Sequence, residues 1–142
     1  MHLNSLDNWS ACLFVSDERW EIWPVGAPFL DFLKIPVHNF FLGQAHFAAH
    51  GYWPDHRERP HENAGIVQYY QEKFNCQRPE VIYQLLKEAE KSRSAWDLKC
   101  PCDFRTPLRK CSHGDIVKQF REHQDPKLLS NAILIFKNLI YE

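Results

Sequence analysis

The chain has 142 residues, 44% of them hydrophobic, 14% aromatic and 25% charged, the profile of a globular chain able to bury roughly two thirds of the surface it exposes when unfolded. This excludes disorder along the whole length and a collagen-like repeat. Seventeen Lys and Arg against eighteen Asp and Glu give a formal net charge of -1, which argues against a protein that tracks the phosphate backbone of a nucleic acid.

Residues 1–27 carry Trp9, Trp20, Trp23 and Pro24 without a helical or a sustained alternating period, so they read as an irregular, Trp-rich segment with one short extended piece at 12–15. Over 28–50, Phe29, Leu30, Leu33, Val37, Phe40, Phe41, Ala45 and Ala48 recur at spacings of three and four before Gly51. That predicts one long helix, or two if Pro36 breaks it. A loop rich in Trp, Pro, His and Arg fills 51–62, and helical spacing returns at 64–74 through Ile66, Val67, Tyr70 and Phe74. A further helix follows Pro79, with Val81, Ile82, Leu85, Leu86 and Ala89 on one face and Lys87, Glu88, Glu90 and Lys91 on a solvated one. Asp115 opens a short helix at 116–123. Asp125 and Pro126 then supply an N-cap and a first-turn proline for a closing helix. Its stripe of Leu128, Leu129, Ala132, Ile133, Phe136, Leu139 and Ile140 is expected to pack on the long helix that begins near Phe29.

No apolar run reaches the roughly 20 residues of a bilayer-spanning helix, and Met1-His2-Leu3-Asn4-Ser5 has neither the basic start nor the apolar stretch of a signal peptide. The expectation is a cytoplasmic protein with no membrane partner. Five cysteines is an odd number, and three fall within twelve positions near the C-terminus. In a reducing compartment, metal binding explains this better than a disulfide framework. Cys100-Pro101-Cys102 and Cys111-Ser112-His113 form two ligand pairs separated by eight residues, the spacing of a small knuckle around one structural Zn2+. A Cys3His set fills a tetrahedron and leaves no position for a catalytic water. Lys99, Arg105, Arg109 and Lys110 would offset the charge of three thiolates on a divalent ion. The competing reading is two unrelated reduced pairs or a surface disulfide.

These residues resemble the SEC-C zinc motif over about fifteen positions, with Ser112 where that family usually places His or Cys and Asp103-Phe104-Arg105 in place of its Gly-Ser-Gly turn. The resemblance implies zinc and a protein-docking surface. A second resemblance lies at the N-terminus. His2-Leu3-Asn4, then Cys12 and Trp20, are similar to the active-site stretch of the ubiquitin-conjugating enzyme superfamily, with Leu3 in place of its proline. Gly51-Tyr52-Trp53-Pro54 and His61 resemble a loop of bacterial relatives. This implies Cys12 as a thioester carrier for a ubiquitin-like protein partner, with Asn4 at the oxyanion, in a chain that looks like the C-terminal half of such an enzyme. The alternative is a noncatalytic, zinc-dependent docking module, with nucleic acid a less favoured partner. An enzyme needs Cys12 exposed and nucleophilic, whereas a module does not.

Among five histidines at 38–61, His46 and His50 share the i,i+4 spacing that can bind a metal, but no glutamate lies between them and they read as solvated or core-edge residues. The fold class expected is mainly α, a small helical domain with an irregular N-terminal segment. Residues 1–97 would form a helical region resembling the C-terminal part of a ubiquitin-conjugating fold, and 98–142 the SEC-C-like zinc knuckle plus closing helices, packed as one unit with the rest.

Overall fold

The computed structural model describes residues 3–4, 10–54, 60–92 and 96–141, with residues 3, 4 and 10 described by their backbone alone. The chain is mainly α, as expected, and divides into two compact units, Met1–Gly65 and Ile66–Glu142.

In the first unit a two-residue antiparallel ladder joins β1 (Leu3–Asn4) to β2 (Ser10–Ala11), pairing Leu3 with Ala11 and Asn4 with Ser10. The extended piece therefore lies at 10–11, immediately before the 12–15 segment expected. A 3₁₀ turn at Ser16–Glu18 leads into α1 (Arg19–Ile22). Pro36 does not break the next helix. It is buried inside a π-helical turn, Leu33–Val37, that connects α2 (Phe29–Phe32) to α3 (His38–His50). Proline has no N–H to give, and its ring crowds the carbonyl one turn back; widening that turn absorbs both defects. Gly51 closes α3 at φ 80°, a left-handed conformation that costs a residue without a Cβ nothing, and its amide bonds the Phe47 carbonyl at 2.8 Å.

The second unit holds most of α4 (Glu62–Phe74), together with α5 (Pro79–Glu90), α6 (Ser112–His123) and α7 (Pro126–Tyr141). Its core is aromatic at the centre. Tyr70, Phe74, Phe120 and Phe136 are fully buried, with ring centroids 5.1 Å apart for Tyr70 and Phe120 and 5.5 Å for Phe74 and Phe120. Val81, Ile82, Leu85, Leu86 and Ala89 are buried, as the amphipathic pattern of α5 required. On α7, Leu129, Ala132, Ile133 and Phe136 of the stripe are buried while Leu139 is exposed, and the helix packs against α5, within the same unit, where the sequence reading sent it to the helix from Phe29. The reason is local: α7 follows α6 after a two-residue link whose Asp125 Oδ1 accepts the Lys127 amide at 2.7 Å, as an N-cap does.

Glu88 departs from the solvated face assigned to it. It is 6% exposed, its carboxylate accepts a bond from Lys91, and Arg121 donates to its backbone carbonyl at 2.7 Å. The charge run on α5 thus includes one buried acid, and the backbone carbonyl of that residue ties α5 to α6.

Candidate metal centre

The loop between α5 and α6 is built to bring distant ligands together. Lys99 and Pro107 form an antiparallel bridge, and the Cys100 amide bonds the Thr106 carbonyl at 2.8 Å, so residues 99–107 fold back on themselves. At the tip, Phe104 takes a positive φ of 55° and its amide donates to the Cys100 carbonyl at 2.9 Å. Asp103 locks this turn. Its carboxylate accepts the Arg105 amide at 2.9 Å, the Thr106 amide at 3.1 Å and the Thr106 hydroxyl at 2.7 Å. Those bonds, led by that of the Thr106 hydroxyl, hold the Asp103 carboxyl down to about 2. Hydrogen bonding to the Asp103 side chain thus holds the turn that carries Phe104 at positive φ.

A 3₁₀ turn at Leu108–Lys110 then delivers Cys111 as the N-cap of α6, in extended conformation. The helix starts at Ser112, a turn earlier than the Asp115 opening expected, so His113 sits in its first turn. Gly114 is required here. A Cβ at this position would lie 2.3 Å from the Leu108 carbonyl oxygen, because the start of α6 rests directly on the preceding turn.

The result is the four-residue group the sequence predicted. Ligand atoms of Cys100, Cys102, Cys111 and His113 all lie within 4.8 Å of one another, and the group can hold a metal ion. His113 Nδ1 is 3.3 Å from Cys100 Sγ and 3.4 Å from Cys111 Sγ, while Cys102 Sγ and Cys111 Sγ are 3.7 Å apart. Cys100 is fully buried and the other three are half-buried. Desolvation pushes the Cys100 and Cys102 thiols above their ordinary range.

Two residues that sequence reasoning missed complete the centre. His113 Nε2 is 2.8 Å from the Phe74 carbonyl. A carbonyl can only accept, so Nε2 carries the proton and Nδ1 turns a bare lone pair toward the thiols, as an oriented metal-ligating histidine does. The Phe74 ring also packs edge-on against the His113 ring at 6.0 Å, joining the centre to the aromatic core. Arg78 donates from Nη2 to the Cys102 carbonyl at 2.6 Å, placing a cation beside the thiol cluster. Neither was legible in sequence, since they lie 39 and 24 residues from their partners. Of the four cations expected around the cluster, all are exposed, and Arg109 pairs with exposed Asp97 at 2.7 Å, a contact worth little at a surface.

At Cys12 the geometry is different. The thiol is half-buried, and burial followed by the Glu18 carboxylate raises its pKa, the opposite of what activates a nucleophile. Asn4 lies on the strand paired with Ser10 and is described by its backbone only; His2 lies outside the described residues. Comparison with family models, curated proteins and solved structures finds no match for the chain. Among the described residues, no helix is long and apolar enough to cross a membrane.

Proposed function

We propose that this chain is a noncatalytic docking module whose C-terminal unit is held by one structural Zn2+ on Cys100, Cys102, Cys111 and His113. The observation that carries the reading is the spacing of the ligand atoms. Around a tetrahedral centre with sulfur at about 2.3 Å and nitrogen at about 2.0 Å, S–N pairs lie about 3.5 Å apart and S–S pairs about 3.8 Å; His113 Nδ1 at 3.3 and 3.4 Å from two sulfurs and the Cys102–Cys111 sulfurs at 3.7 Å lie within about 0.2 Å of those values, in a group whose ligand atoms all fall within 4.8 Å of one another. Three thiols and an imidazole suit zinc among the common divalent ions. Four protein ligands leave no open position, so the role is structural. Keeping three cysteines reduced for a metal fits a reducing compartment such as the cytoplasm.

Docking rests on what surrounds the knuckle. Phe104 is 66% exposed at its tip and Leu98 is 47% exposed at its base, so both are accessible to the protein partner that the SEC-C resemblance implies. The ubiquitin-conjugating reading has the sequence resemblance behind it, but a thioester carrier works through a thiolate, and Cys12 is biased toward the thiol.

Metal analysis of the purified chain tests the first reading. One zinc per chain is expected, lost in Cys102→Ser, and chelation should expose residues 99–114 to protease. Absence of zinc, or unchanged content in the variant, overturns it. Native maleimide labelling tests the second. Slow modification of Cys12 relative to a free exposed thiol is expected, whereas rapid labelling would restore the carrier reading.

A further inference from the structure

A second set of metal-binding side chains lies in the first unit, at the C-terminal end of α3. His46 and His50 are one helical turn apart on the same face, and their ring centroids are 4.4 Å apart. The left-handed turn at Gly51 sends the chain back so that the Tyr52 carbonyl meets His46 Nδ1 at 3.0 Å. Because that oxygen can only accept, Nδ1 carries the proton and the Nε2 lone pair of His46 is left available. This is the orientation a backbone carbonyl imposes on a ligating histidine. The Tyr52 ring packs on both imidazoles, with centroids 5.0 Å from His46 and 6.0 Å from His50, which restricts their rotation. The C-terminal end of α3 adds the negative end of the helix dipole, which favours a cation there.

We propose that His46 and His50 form a second metal site, for an imidazole-preferring divalent cation of the Cu2+, Ni2+ and Zn2+ class. Two imidazoles occupy only part of a coordination sphere, so water fills the rest. The site is open and exchangeable where the cysteine centre is closed.

Titration of the zinc-loaded full chain with Ni2+ by calorimetry tests it, with zinc content measured afterwards. One equivalent of Ni2+ is expected. Removing a ligand costs at least what removing its supporting group does, so binding should weaken by roughly 10-fold or more in both His46→Gln and His50→Gln. His123→Gln, at the exposed end of α6, should bind Ni2+ as the parent does. His50 is exposed in the last turn of α3, so His50→Gln keeps the test valid if His46→Gln fails to fold. Absence of Ni2+ binding to the parent, or unchanged binding in His50→Gln, overturns the proposal.

Discussion

Gly114→Ala sets two effects of opposite sign against each other at the metal centre. In an exposed helix, alanine in place of glycine stabilises by about 1 kcal/mol through backbone entropy. At Gly114 the added methyl would sit 2.3 Å from the Leu108 carbonyl oxygen, more than 1 Å inside the 3.4 Å at which ordinary contact begins. The obstacle is backbone, so no side chain can swing away. The Leu108 carbonyl also accepts the Cys111 amide at 3.1 Å, and the Leu108 amide bonds the Leu98 carbonyl at 2.8 Å. Moving it therefore shifts a ligand residue and the base of the knuckle together. Overpacking costs about 1–3 kcal/mol, and with a backbone obstacle the cost falls in the upper part of that range, about 2–3 kcal/mol; subtracting the propensity gain of about 1 kcal/mol leaves a net loss of about 1–2 kcal/mol. Because the distortion falls on the ligand cage, zinc affinity should drop about 5- to 30-fold, the factor those energies represent. Chelator competition on parent and variant, with circular dichroism to confirm retained helix, measures it. Affinity equal to or tighter than the parent's would show that α6 does not rest on the Leu108 turn, and the account of the centre would be wrong.

Phe136 is fully buried against Tyr70, so Phe136→Ala should cost about 3–5 kcal/mol. In a unit of this size that lowers the thermal midpoint by roughly 12 °C or more; an unchanged midpoint would make the α7 stripe a binding face. Zinc affinity should also depend steeply on pH. Burial raises the Cys100 and Cys102 thiols, so without metal both are protonated near neutrality and each must release a proton to bind. The apparent Kd should accordingly rise by at least about 100-fold for each pH unit lost, tenfold for each of these two thiols. A Kd that does not vary with pH would mean that the thiols are not the ligands.

Helix positions on α5 and α7 were legible because their apolar residues recur every three or four places, and periodicity survives any tertiary context. The Asp125-Pro126 start of α7 was legible because capping chemistry is local. Pro36 was only half legible: a proline inside a helical pattern signals a defect, yet whether the chain breaks or widens one turn depends on what the surrounding packing holds in place. Glu88 was misread because a carboxylate on a helix looks solvated until a second helix, here carrying Arg121, covers it.

By itself, the sequence determined the mainly helical class and the four residues of the candidate metal centre, since ligand type and short spacing are fixed along the chain. The tertiary structure alone decided how that centre is held. The Phe74 carbonyl that sets the His113 tautomer, the Arg78 guanidinium beside Cys102 and the Leu108 carbonyl that demands Gly114 are backbone atoms or long-range partners, invisible to residue identity. Partner choice for α7 and the raised pKa of Cys12 belong to the same category, because burial and packing are properties of the folded surface and not of local sequence.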